Sequence, residues 1–262
     1  MRMLLAAFIS SVTLFAVEPI FRAGFDGNSL DASIAKGDAK LYSSASYGKA
    51  AQPGLSGAPA GIASHAKAEG RNGGGALRFH KKNDAAIFFK AQGNVSMSTG
   101  TISFWLKLDP DQDLEPGYCD PLQVTDKAYN DSAIWVDFTK DDKPRHFRLG
   151  VFGMLISWNP ANLAPDTNPA FNGRLVVVKQ PPFGRDHWTH VVITYKGLGS
   201  GGGWARLYLD GKMQGVTSKV EEPFAWAPNA ATIRLGVNYT GLLDDISVYA
   251  TALTSKQIAG LR

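Results

Sequence analysis

Three groups of side chains in this sequence have the types and spacing to do chemistry. Asp244 and Asp245 stand side by side in "GLLDDISVYATAL", just before Ile246 and Val248 begin to alternate with Ser247 and Tyr249. The alternation reads as a half-buried strand, and strands disfavour aspartate, so the pair calls for a reason. On a regular strand the two carboxylates point to opposite faces. Asp244 then shares a side with Ile246, and only one of the two serves any single site. The second group lies in "AIWVDF" and "HFRLGVF". Ile134, Val136 and Phe138 form one face of the first segment, and Trp135 with Asp137 the other. Phe147, Leu149 and Val151 form one face of the second, and His146 with Arg148 the other. If "TKDDKPR" joins them as an antiparallel hairpin, Trp135, Asp137, His146 and Arg148 gather on one polar and aromatic surface. A flat ring beside hydrogen-bonding groups suits a sugar. The same residues have a plainer alternative, in which Asp137 and Arg148 are a cross-strand ion pair and a loop covers Trp135. Trp158 in "SWNPAN" and Trp226 in "FAWAPN" sit on loops, where recognition residues concentrate, and join the candidate ligand-binding set. The third group, His187-x-x-His190, does not make a metal site, because strand positions three apart face opposite sides.

These side chains need a scaffold, and the rest of the sequence describes one. From Ala76 onward, segments such as "AAIFFK", "TISFWLKL", "RLVVVKQ", "HWTHVVITYK", "WARLYLDG" and "ATIRLGV" are rich in β-branched and aromatic residues and are separated by Gly, Pro, Asp or Asn. They read as short strands with no intervening helices, which predicts an all-β sandwich or jelly roll of two antiparallel sheets. Asp210-Gly211 is a tight hairpin turn, since that dipeptide accepts positive φ. Residues 31–75, with "AQPGLSGAPAG" and "EGRNGGG", form a loop-rich segment. Thr254 and Gln257 fit a capping box, and Leu253 with Ile258 fits a hydrophobic staple, so a short helix closes the chain.

Composition narrows the function. A formal charge of +4 over 262 residues, with no long basic block, argues against a nucleic-acid partner. Met1-Arg2-Met3 followed by apolar residues to Val17 resembles an export signal ending between residues 16 and 23, too short for a comfortable membrane span. The expected product is a secreted or periplasmic domain from residue 18 to 262 without a transmembrane span. The single cysteine, Cys119, allows no intrachain disulfide and reads as a small buried hydrophobe. No Gly-x-Ser-x-Gly elbow, phosphate loop or zinc spacing is present.

Four stretches in order, "GTISFWLKL" (100–108), "HWTHVVITYKG" (187–197), "ARLYLDGK" (205–212) and "GLLDDISVYATALTSKQI" (241–258), resemble laminin-G-like jelly-roll domains of the concanavalin A-like lectin/glucanase superfamily. The resemblance runs over roughly residues 20–262, more loosely at 31–75 and 109–186. It implies a fold that hosts lectins, adhesion modules and glycosidases alike. It also implies a structural calcium tying the first strand to the last, with Asp26 in "GFDGNS", Asn28, and Asp244 or Asp245 as ligands. Calcium takes six to eight oxygens, and carboxylates that meet without a cation repel. The glucanase branch carries Glu-x-Asp-x-(x)-Glu on one strand. None of the five glutamates here, Glu18, Glu69, Glu115, Glu221 and Glu222, stands in that pattern. The sequence therefore predicts a non-catalytic exported module for carbohydrate or cell-surface glycan. A protein-adhesion module is the alternative, and a glycoside hydrolase or lyase the less favoured one.

Overall fold

A computed structural model describes residues 17–46 and 54–262. The apolar leader up to residue 16 lies outside the described residues. Each segment read as a strand forms one, because its alternating side chains have a core on one side. In chain order the strands are β1 (Phe21–Ala23), β2 (Ile34–Ala35), β3 (Tyr42–Ser44), β4 (Leu55–Ser56), β5 (Ala63–Ala66), β6 (Ala76–Phe79), β7 (Ala86–Lys90), β8 (Gly100–Lys107) and β9 (Cys119–Thr125). They continue with β10 (Ala133–Phe138), β11 (Phe147–Phe152), β12 (Leu175–Val178), β13 (Thr189–Lys196), β14 (Trp204–Leu209), β15 (Lys212–Val216), β16 (Thr232–Val237) and β17 (Gly241–Tyr249).

They make two antiparallel sheets. One, of nine strands, runs β15-β14-β13-β8-β17-β1-β2, with β6 pairing β17 and β5 pairing β6. The other, of eight, runs β12-β11-β10-β9-β16-β7-β3-β4. Ile102, Phe104, Val191, Ile193, Leu243 and Val248 of the first sheet and Leu122, Val124, Val136, Phe138, Leu149 and Ile233 of the second fill one buried core between them. Each such side chain contributes about 1.5–3 kcal/mol on leaving water, which holds the sheets face to face. The outer face of the eight-stranded sheet is free to carry polar groups, and the candidate site is built there.

The turn and cap readings are realised. Asp210 and Gly211 join β14 to β15 with φ of 48° and 73°. The last helix, Ser255–Ala259, has its capping box from Thr254 and Gln257, and Leu253 and Ile258 pack in one cluster. Cys119 is buried in the core, and burial pushes its thiol up to about 11.

Two parts of the sequence hold strands that a periodicity reading does not reveal. The loop-rich segment 31–75 contains β2 to β5, which extend both sheets. Strands of two to four residues are too short to show a period. The segment "CDPLQVT" is a central strand, β9, although Asp120 and Pro121 argue against one. An irregularity in the β9–β10 pairing accommodates them: Val136 faces Leu122 and Phe138 faces Cys119, so Asp120 and Pro121 together oppose Asp137.

Candidate functional site

The β10–β11 hairpin has the expected register, with Trp135 opposite Gly150 and Asp137 opposite Arg148. Ile134, Val136, Phe138, Phe147, Leu149 and Val151 face the core. Trp135, Asp137 and Arg148 therefore share the outer face. There they line a cavity of about 550 Å³ together with Tyr118, Asp120, Gln123, Tyr129, Pro165, Phe171, Asn172, Val237 and Asn238.

The floor is rigid. Trp135 lies flat on Gly150, where an added Cβ would sit 2.2 Å from the ring, so this close approach requires glycine. The indole N–H donates to the Tyr129 carbonyl at 2.7 Å, and Phe152 stacks beside the ring at a centroid distance of 5.9 Å. Arg148 Nε donates to Asp137 Oδ1 at 2.8 Å, and its Nη2 donates to Asp137 Oδ2, giving a bidentate ion pair. The guanidinium also stands 4.9 Å from the Tyr118 ring centre. Gln123 accepts from Arg234 Nη1 at 2.9 Å. Tyr118 and Tyr129 are 41% and 40% exposed and form open walls.

Asp120 differs from its neighbours. It lines the cavity, and among the described residues no hydrogen bond or ion pair reaches its carboxylate. Burial pushes its carboxyl well above the usual range and Asp137 adds to the push, while Arg148 and Arg234 pull back from a distance. An acceptor in that position is suited to a hydroxyl that a ligand brings.

The site brings together only part of the predicted set. Trp135, Asp137 and Arg148 meet, but the plainer alternative also holds for them: the two charges form a cross-strand pair and Trp135 is 2% exposed. His146 is the residue before β11. It lies outside the cavity lining and pairs with Asp142 at 3.4 Å. Trp158 is buried behind the floor, packed on Phe152 and Phe171, and donates to the Asn130 carbonyl. Trp226 packs against the main core and donates to the Ser132 carbonyl. Both indoles are consumed by protein carbonyls, so neither offers a free ring edge. Tyr118, Asp120, Gln123, Tyr129 and Phe171 were missed, since the first three flank or occupy strand β9, Tyr129 lies on a loop, and Phe171 sits on a single-turn helix, Pro169–Asn172. The signal that could have found the site is "CDPLQVT" read as a strand whose Gln123 lies opposite Trp135.

The second acidic site is where the ends of the chain meet. β1 pairs with β17, Ala23 facing Ile246. A side chain on Gly24 would stand 3.2 Å from Asp245 Oδ1 and 3.3 Å from Asp26 Oδ2, so Asp26 and Asp245 flank one point. Asp244 and Asp245 do not take opposite faces. The pairing of β17 with β8 is irregular between Asp244 and Ser247, and Asp245 has φ of 49°, which turns both carboxylates toward the loop at 70–75. Arg71 of that loop donates from its backbone N–H to Asp244 Oδ2 and from Nη1 to Asp245 Oδ2, both at 2.8 Å. Arg22 Nη2 donates to Asp245 Oδ1 at 3.1 Å. The Gly75 N–H donates to Asp26 Oδ1 at 3.2 Å. Burial raises the Asp244 carboxyl to about 7, and the charges of Asp245 and Asp26 add to this. Asn28 is exposed on the turn after Asp26. Both oxygens of Asp245 are already held by guanidinium groups, and among the described residues no three His, Cys, Asp or Glu side chains form a metal-holding group. The donor set does not fit calcium while Arg71 is in place. His187 and His190 are separate: the first pairs with Asp186, and the second is buried on Ser103.

The family model Laminin_G_3, described as concanavalin A-like lectin/glucanases superfamily, matches residues 81–259. No curated protein matches significantly. Among solved structures, domain 4 of AbnA, a GH43 extracellular arabinanase from Geobacillus stearothermophilus in complex with arabinotriose, superposes with TM-score 0.55 at 17% identity, covering 94% of this chain and 98% of that one. The binding domain of botulinum neurotoxin DC in complex with SialylT gives 0.54 at 12% identity, over 93% of this chain and 50% of that one, so the chain spans about half its length. The binding domain of Paraclostridial mosquitocidal protein 1 gives 0.51 at 14% identity, over 93% and 51%. At these identities the likeness is one of fold.

Proposed function

The chain belongs to the concanavalin A-like lectin/glucanase superfamily, in its laminin G-like branch, and from that premise we propose that it is an exported binding module for a short stretch of carbohydrate chain. The observation that carries the reading is the cavity on the outer face of the eight-stranded sheet, where the Tyr118 and Tyr129 walls stand beside the unpartnered carboxylate of Asp120. The tyrosine faces offer apolar surface to a sugar ring. Asp120, Asn172 and Asn238 offer hydrogen bonds to its hydroxyls. The volume lies within the range of small-ligand sites, which is about 300–1,000 Å³. The arabinotriose complex of the AbnA domain, a similar fold over nearly its whole length, adds support.

An aromatic-walled cavity favours this reading over an adhesion surface, which would present a broad apolar patch. A hydrolase is the second reading, because Asp120 and Asp137 face the same cavity. It is disfavoured because Asp137 is held on both oxygens by Arg148 and cannot readily exchange a proton. Export rests on the apolar leader.

The test is a glycan array followed by calorimetry on the best neutral oligosaccharide. Asp120→Ala or Tyr129→Ala is expected to weaken binding at least about tenfold, equivalent to ~1.4 kcal/mol. Binding left intact in both variants would remove the cavity as the site. Release of reducing ends, abolished in Asp120→Asn, would favour the hydrolase.

A further inference from the structure

The junction of the chain ends carries an inference independent of sugar binding. Asp26, Asp244 and Asp245 come from opposite ends of the sequence and meet beside β1 and β17. Three carboxylates gathered at a partly buried seam need a positive charge, or one must protonate. The charge is supplied from within the chain. Arg71 reaches Asp245 with its side chain and Asp244 with its backbone, and Arg22 closes the remaining oxygen of Asp245.

Arg71 is also fixed from its other side. Its guanidinium carbon lies 3.5 Å from the centre of the Trp105 ring, a cation–π contact, and its side chain is only 18% exposed. Trp105 is itself stacked on His190 at 4.3 Å, and Asp244 is its neighbour across the β8–β17 pairing. The loop comes this close because Gly74 and Gly75 have no side chains. A Cβ on Gly74 would lie 1.9 Å from Asp26 Oδ1, and one on Gly75 would lie 2.0 Å from the Phe25 carbonyl oxygen. The Gly-rich run "EGRNGGG" therefore has a function beyond flexibility: it delivers one arginine onto a preformed acidic seam.

We propose that Arg71 does at this seam the work a bound divalent cation would do. It welds the loop at 70–75 to the last strand, β17, and to Trp105 of β8, and the fold has no metal requirement there. A guanidinium presents fixed, planar donors and a permanent charge, and unlike calcium it is not lost to chelators.

Thermal melting of the full protein tests this in excess EDTA, in millimolar calcium and in a matched magnesium control. The wild type is expected to melt at the same temperature, within about one degree, in all three, since a ligand shifts Tm only by binding the folded state. Arg71→Ala is expected to melt several degrees lower, because Asp245 then loses a charged donor and the packing on Trp105 is lost. Arg71→Lys keeps the charge but loses the planar fork, and is expected to lie between the two. A wild type that loses stability in EDTA overturns the proposal. So does an Arg71→Ala protein that melts like the wild type. Should Arg71→Ala fail to fold, the chelator test and Arg71→Lys decide alone: a Lys variant as stable as the wild type overturns it.

Discussion

The seam at the chain ends and the cavity on the outer sheet face use the same parts, clustered aspartates beside arginines. At the seam every oxygen of Asp244 and Asp245 accepts a hydrogen bond from the protein, Asp244 Oδ1 from the Asp245 N–H at 2.7 Å. In the cavity Asp137 is equally satisfied by Arg148, but Asp120 accepts none among the described residues. The lesson is that donors, more than the acid itself, tell a carboxylate's task. A saturated cluster closes a structure, and an acid left open beside exposed aromatic walls has capacity for something from outside.

Removing an arginine from the cavity is expected to have the largest effect. Arg148→Ala strands the buried Asp137 charge and should cost about 3–5 kcal/mol in urea unfolding. A loss under about 1 kcal/mol would place that ion pair among exposed surface pairs and blur the contrast. Next is the histidine behind the seam. His190 is buried on Ser103 and Trp105, with Arg71 and Arg262 as facing positive charges and Asp245 as the negative one. Burial chiefly lowers it from 6.5 to about 4. Its folded value is depressed, so its penalty is absent above pH 6.5 and grows as pH falls from there toward 4, up to about 3 kcal/mol. His190→Phe, which keeps the stack, should therefore lose less stability than the wild type between pH 7 and 4. Parallel pH curves would show that His190 does not titrate in that window. Third, Gly150→Ala pushes a methyl into Trp135 and should cost about 1–3 kcal/mol, lowering sugar affinity with it. Smallest, and opposite in sign, Asp120→Asn is expected to gain up to about 1 kcal/mol while weakening the sugar, since it replaces a carboxyl whose ionised form burial disfavours with a neutral amide. A destabilised Asp120→Asn protein would mean that Asp120, like the seam acids, holds the fold.

The sandwich was legible because the long strands alternate cleanly, as in "TISFWLKL" and "HWTHVVITYK". The face carrying Trp135, Asp137 and Arg148 followed from the same period-two logic. That logic failed where the backbone departs from a regular strand. The left-handed Asp245 and the irregular pairing near it defeat alternation at the seam, and the pairing of Asp120 and Pro121 against one residue hides β9. Arg71 was illegible for a different reason. Its partners lie 173 and 174 positions away, and nothing local in a glycine-rich loop names them.

The pairing of β1 with β17 also constrains how the protein is made. Arg22 and Asp245 are 223 positions apart, so the earliest described strand has no partner for its β17 edge until a strand far along the chain has been made. Closing the nine-stranded sheet therefore depends on a contact of very long sequence separation, which carries a large loop-closure cost and makes this junction a slow step of folding.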